Sequence, residues 1–232
     1  MTFLLYLWMA YAPCLALALY VYWRDKHEKE PVGILVKCFF LGAMITFPAG
    51  YSNLFGAEVL GFEMRGENGL AVSFFMAFFV VGFGEEFWKF LVLVFFAFPK
   101  SSFNEPFDGI VYSVMIGLGF AALENLDYVL DGGIGVALLR MVTAVPMHAA
   151  LGVLMGYYVG IAKFAEESSR INTLLLGLFY ATFFHGSYDF VLFQNASAIL
   201  SFVFVPIMIW AFFLCRKCMR LHSENSPFRE SC

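Results

Sequence analysis

The 232-residue sequence predicts an all-α fold, a polytopic transmembrane helical bundle of about seven spans. Three observations predict it. The composition is 61% hydrophobic and 19% aromatic but only 14% charged, and the mean hydropathy is +0.78, far from the balance of a soluble domain. The apolar residues fall in runs of about 20, enough for a helix to cross a hydrocarbon core of ~30 Å. Most of the Lys and Arg residues lie in the short segments between those runs.

The first run, 3–23, is too long and aromatic for a signal-peptide core, has no basic leader and shows no small-residue cleavage site, so it reads as a retained span. Further spans are predicted at 32–53, 70–98, 109–130, 146–162, 173–193 and 196–215. The apolar piece 133–145, which carries Arg140, is too short to cross; it reads as an interfacial or re-entrant segment, or as an eighth element if counted separately. No internal repeat or low-complexity linker divides the chain. It is read as one membrane domain, 1–215, with a tail at 216–232.

Charge orients the bundle. "RDKHEKEP" after the first span, Lys100 after the third, Lys163 and Arg170 after the fifth and Arg216, Lys217, Arg220 and Arg229 at the end alternate sides, while the opposite loops carry Arg65 and the Arg140 segment. The positive-inside rule then places the N terminus outside and the C terminus in the cytoplasm. The net charge of -4 is dispersed and no basic patch is present, which excludes nucleic acid as a partner and points to the bilayer and its proteins. Cys14 and Cys38 lie in apolar runs and Cys215, Cys218 and Cys232 at or beyond the last one, a distribution that does not suggest a disulfide framework. "CRKC" at 215–218 reads as a reduced juxtamembrane thiol pair open to lipidation, in preference to a metal site with His222. His27 and His222 read as solvated, and Lys37 as snorkelling to the surface.

Ionisable groups inside spans cost about 2.5–3.5 kcal/mol each on insertion scales, so each needs a partner or a use. Glu85, Glu86 and Lys89 interrupt the otherwise apolar third run; Glu124, His148, His185 and Asp189 lie in the fourth, fifth and sixth. At a rise of ~1.5 Å per residue, Glu85 sits near mid-membrane, with Glu124, His148, His185 and Asp189 between there and the outer surface. Lys89 projects between the two glutamates, and Asp189 lies about 40° from His185 around its helix. Gly152, Gly156 and Gly160 follow His148 at four-residue steps, a small-residue stripe that draws the His face into the bundle. Each residue alone has a structural explanation: an ion pair for Glu85 and Lys89, orientation of His185 for Asp189, backbone satisfaction for Glu124 and Asn125. Their convergence at one depth is what those explanations do not cover.

No serine or cysteine nucleophile accompanies the set, which disfavours covalent catalysis. Carboxylates and imidazoles around a small wet cavity suit water activation, one group taking the proton and others stabilising the oxyanion. Two further readings stay open. Glu85, Glu124, His148 and His185 are also zinc ligand types, although no HExxH is present. Intramembrane Glu, His and Lys also build proton relays, but a transporter would show paired broken helices in repeated halves, and none is visible.

"EEFWK" at 85–89 resembles the EExxK motif of the PrsW family of intramembrane proteases, distant relatives of the CAAX prenyl endopeptidases. The other family blocks follow in order: "GFAALEN" at 119–125, "RMVTAVPMHAALGVLMG" at 140–156 and "HGSYDF" at 185–190. The loop "DKHEKEP" at 25–31 is also similar to the family's first cytoplasmic loop. The resemblance implies a glutamate-dependent protease of the bacterial cytoplasmic membrane, without a cofactor, that cuts a membrane-anchored protein such as an anti-sigma factor. It implies Glu85 and Glu86 as the catalytic acidic pair, with Lys89 as their charge partner. In the CAAX relatives an FxxxH block supplies a catalytic His, whereas the Phe120-to-Glu124 spacing here ends in Glu. Glu85 is the expected base, Glu124 and His148 shape the water site, and His185 with Asp189 lies on the oxyanion side. Asn125 and Arg140 support them.

Overall fold

The computed structural model describes residues 2–63, 68–194 and 198–229, so Arg65 and Cys232 lie outside the described residues. The described residues are helical throughout: α1 (Thr2–Arg24), α2 (Val32–Met44), α3 (Thr46–Leu60), α4 (Leu70–Phe75), α5 (Phe83–Val92), α6 (Pro106–Val142), α7 (Ala144–Phe164), α8 (Glu167–Phe193) and α9 (Ala198–Glu224). Among them, four segments are long and apolar enough to cross a membrane: Leu4–Arg24, Val32–Leu60, Leu70–Ala97 and Pro106–Phe164.

Several elements differ from the sequence expectation. The second run is two helices that meet at Ile45, because Pro48 in the first turn of α3 has no N–H to carry the ladder back into α2. α3 runs on to Leu60 and ends at Gly61, whose left-handed φ of 63° lets Phe62 N–H bond back to the Ala57 carbonyl at 2.9 Å. The third run is one continuous helical path, but Met76–Gly82 and Leu93–Ala97 on either side of α5 are π-helical. Such wide turns change the angular register and are frequent at functional sites.

In α6, Gly133 adopts φ 71° and ψ −163°, and the chain doubles back there. A straight helix would separate Arg140 from Glu124 by about 24 Å. Instead Arg140 Nη2 donates to Glu124 Oε2 at 2.8 Å. The short Arg140 segment is therefore a helix folded against its predecessor.

Every residue from Phe107 to Ala122 is buried, so the first half of α6 is the centre of the bundle. α1, α2 and α7 pack around it. A Cβ at Gly156 would collide with the backbone of Gly109 and Ile110, so α6 and α7 cross backbone to backbone along the predicted small-residue stripe.

The end of the bundle that holds the α1–α2 loop is polar, and the last turn of α9 packs against it, Ser223 Oγ lying 3.5 Å from His27 Nε2. His222, expected to be solvated, is 3% exposed, bonds the Tyr157 carbonyl through Nε2 at 3.0 Å and packs on the Tyr157 ring. α9 continues through Glu224 and carries it there, so 216–224 is docked helix. Cys215 and Cys218 are buried too, with Cys215 Sγ donating to the Ala150 carbonyl, which corrects the expectation of lipid-accessible thiols.

In the same region Glu30 is buried, accepts a hydrogen bond from the Tyr112 hydroxyl and neighbours the Asp108 carboxyl. Burial, reinforced by Asp108, pushes the Glu30 pKa well above the carboxylate range. Because the folded pKa exceeds the unfolded value of 4.5, folding above that pH requires proton uptake, and stability falls as pH rises through the interval. Glu30→Gln preserves the shape and needs no proton. Thermal unfolding in detergent is expected to show a higher Tm than wild type at about pH 8 and convergence of the two near pH 4.5; a variant less stable at both would disprove the protonated state.

Candidate active site

The third run delivers Glu85, Glu86 and Lys89 from α5, the fold-back in α6 delivers Glu124, Asn125 and Arg140, and α7 and α8 deliver His148, His185 and Asp189. All nine are brought into one connected network. Glu85, Glu86, Lys89, Asn125, His148, His185 and Asp189 are buried, while Glu124 and Arg140 keep 18% and 14% of their side chains exposed. The site is therefore open on the Glu124–Arg140 edge.

Lys89 is the central cation. Its Nζ lies 2.7 Å from Glu86 Oε1, 3.1 Å from His148 Nδ1, 3.6 Å from Glu85 Oε2 and 4.1 Å above the Phe120 ring. An ammonium only donates, so His148 Nδ1 accepts, and its Nε2 carries the hydrogen donated to Glu124 Oε2 at 3.0 Å. Arg140 fixes the same block from the other side, donating through Nη2 to Glu124 Oε2 and through Nε to Asn125 Oδ1, each at 2.8 Å. The Asn125 amide in turn donates to the Ala10 carbonyl of α1 at 3.4 Å.

On the α8 side, His185 Nδ1 donates to Glu86 Oε1 at 2.8 Å, and Nε2 faces Asp189 Oδ2 at 3.4 Å and Glu85 Oε2 at 3.8 Å. The two imidazoles stand edge to face, 5.4 Å apart. Glu86 Oε1 is thus claimed by both Lys89 and His185, whereas Glu85 Oε2 is buried with no hydrogen-bond partner. Adjacent in sequence, the two glutamates differ in what they are free to do.

Sequence reasoning missed Asn53. From α3, its Nδ2 donates to Glu85 Oε1 at 3.0 Å. A lone amide near the end of an apolar run, without a polar neighbour at helical spacing, carries no signal of its own.

Four carboxylates, Glu85, Glu86, Glu124 and Asp189, face two permanent cations, Lys89 and Arg140. Two protons or one divalent cation would neutralise the excess, and a buried excess must be neutralised.

A helical bundle that holds carboxylates and imidazoles around a carboxylate oxygen without a hydrogen bond fits the class of membrane-embedded hydrolases. The chain belongs to the PrsW family: residues 30–214 match the model described as PrsW family intramembrane metalloprotease. It is 36% identical over 214 residues to Protease PrsW of Bacillus subtilis (strain 168), covering 92% of this chain and 94% of that relative. It is 38% identical over 200 residues to Protease PrsW of Halalkalibacterium halodurans, at 86% and 88% coverage, and 29% identical over 208 residues to that of Clostridioides difficile (strain 630), at 87% and 85%. No solved structure matches the chain. The protein is an integral membrane protease, which removes the transporter reading.

The family description implies a metal without naming one, and three residues offer donors that would fit one. Ligand atoms of Glu85, Glu124 and His148 lie within 4.8 Å of one another, and two carboxylates with one imidazole form a zinc-type donor set. Glu85 Oε2 is the orphaned atom such an ion would satisfy. His148 would have to surrender its bond to Lys89 or to Glu124. His185, the fourth ligand type read from the sequence, is not part of that group and spends Nδ1 on Glu86.

Proposed function

We propose that the chain is an endopeptidase that cuts a membrane-anchored protein near the extracytoplasmic end of its membrane segment, with water activated by Glu85. The observation that carries this reading is the buried Glu85 Oε2, which has no hydrogen bond and only longer ionic contacts with Lys89 and His185, beside the Glu124–His148 pair. Asn53 holds Oε1, so the carboxylate has one hydrogen-bonded oxygen and one with no hydrogen bond, a form suited to a base. Glu124 and His148 bound the water site; His148, with its Nε2 hydrogen directed at Glu124, is also a proton carrier for the leaving amine. His185, placed by Glu86 and Asp189, faces the carbonyl oxygen as charge develops there. Lys89 neutralises the acidic pair.

A second reading is favoured by the convergence of Glu85, Glu124 and His148 donor atoms within 4.8 Å. A zinc ion there, when bound, would polarise the scissile carbonyl and make water more acidic. The protein's own residues keep the same places: Lys89 and Arg140 set the local charge, and His185 donates from α8.

On about seven spans read from the apolar runs, with the N terminus outside and the C terminus in the cytoplasm as the loop charges suggest, the partly exposed Glu124–Arg140 edge would lie in the outer half of the bilayer. Water and an unwound substrate backbone are accessible there. An anti-sigma factor is the substrate class that the family resemblance implies. Mass spectrometry of reaction products is expected to locate the cut at or just beyond the outer end of the substrate's membrane helix; a cut at its cytoplasmic boundary would overturn the orientation or the site. Metal content of the active, purified enzyme, followed by chelation, separates the two chemistries: activity that survives chelation in metal-free protein supports Glu85 alone, and stoichiometric zinc with loss on chelation decides for the ion.

A further inference from the structure

The seam between α3 and α5 holds a second unsatisfied group. A carboxylate only accepts hydrogen bonds, so the Asn53 amide must present Nδ2 to Glu85 Oε1, and this fixes the opposite direction for Oδ1. That oxygen is buried and has no hydrogen-bond partner among the described residues. An unpaired buried amide oxygen costs free energy in the resting protein, and such a cost is tolerated where a ligand supplies the missing donor.

The oxygen is closed off from solvent in the resting protein, but Gly84 lays no side chain over it. A Cβ added at Gly84 would stand 3.8 Å from Asn53 Oδ1 and 3.7 Å from Ser52 Oγ, in ordinary contact with both and in collision with nothing. The helix surface around this seam is apolar: Phe83 and Phe87 of α5 are exposed and stacked on each other, and Tyr51, Leu54 and Phe55 of α3 are exposed. A polar acceptor beneath an exposed apolar seam, on the side chain that holds Glu85, lies where a membrane-anchored chain would arrive.

We propose that Asn53 and Gly84 form the subsite for the substrate backbone: Asn53 Oδ1 accepts a peptide N–H next to the scissile bond, and Gly84, with no side chain, lets the seam part for that strand. The ligand class is an extended peptide segment, unwound at the end of its membrane helix, whose N–H groups have lost their helical partners. Asn53 acts in two directions, as a binding group through Oδ1 and as a positioning residue for Glu85 through Nδ2. The inference rests on the proteolytic reading given above.

The test uses full-length enzyme in proteoliposomes with a single-span reporter carrying a fluorescent external domain. Cleavage by the unmodified enzyme carries the underlying reading; its absence would sink that reading and this one with it. Given cleavage, Gly84→Ala is expected to leave Tm equal or higher, since Ala favours helix over Gly, and to raise KM several-fold with kcat nearly unchanged. Asn53→Asp keeps an acceptor but loses the donor to Glu85, so kcat falls at least tenfold with KM little altered. Asn53→Ala loses both groups and should show both effects, KM rising by about 2–10-fold, the worth of one hydrogen bond. A purely structural Asn53 would lower Tm and the active fraction without separating KM from kcat. Wild-type kinetics in Gly84→Ala and Asn53→Ala, or losses explained entirely by unfolding, would overturn the subsite.

Discussion

Glu85→Gln is expected to reduce proteolysis of a membrane-anchored reporter by about 10²-fold or more while the protein remains folded in the membrane. The substitution is nearly isosteric. The new side-chain amide still accepts from Asn53 Nδ2 through its oxygen, but the buried Oε2, which has no hydrogen bond, is replaced by an amide nitrogen that can take no proton and bind no ion. One negative charge leaves a site in which carboxylates outnumber permanent cations, so Tm should hold or rise. Glu86→Gln is the informative comparison. Its Oε1 is shared by Lys89 at 2.7 Å and His185 at 2.8 Å, so losing that charge disturbs both donors and should lower stability together with activity. Full activity of Glu85→Gln would remove Glu85 from the mechanism. Equal loss of Tm in both variants would show that the two glutamates share one structural role.

Much of this network is legible in the sequence because charge is expensive in a membrane. Glu85, Glu86 and Lys89 stand out in a run with no other charge, and their spacing alone predicts the contacts of Lys89 with both carboxylates. The spacing of His185 and Asp189 likewise predicts one face. What is not legible depends on where the chain turns. Arg140 reaches Glu124 only because Gly133 reverses the helix; the Gly132–Gly133 pair marks a break but not its direction. The π-helical turns leave no trace, since a segment apolar on every side has no periodicity to shift. Asn53 meets Glu85 through the crossing of α3 over α5, which follows from the break at Ile45 and from packing rather than from any local pattern. His222 reads as solvated for a related reason: α9 continues beyond its apolar run, and the charges of the continuation resemble a loop.

Lys89→Met should destabilise the folded protein by about 3–5 kcal/mol, the usual consequence of removing one partner from a buried ionic group. Methionine fills similar volume, so the expected loss is electrostatic rather than a cavity. Lys89 is 4% exposed and touches Glu86, Glu85 and His148 at once. Without it Arg140 is the only permanent cation facing Glu85, Glu86, Glu124 and Asp189 among the described residues, and His148 Nδ1 loses its donor. At the usual entropy of unfolding for a chain of this size, that cost corresponds to a fall in Tm on the order of 10 °C. Combining Lys89→Met with Glu86→Gln removes opposite charges together, and should recover part of the loss if the two form a pair. A Tm equal to wild type in the single variant would mean that Lys89 draws its ammonium out to the membrane surface, leaving the acidic pair to be balanced by protons or by a divalent ion alone.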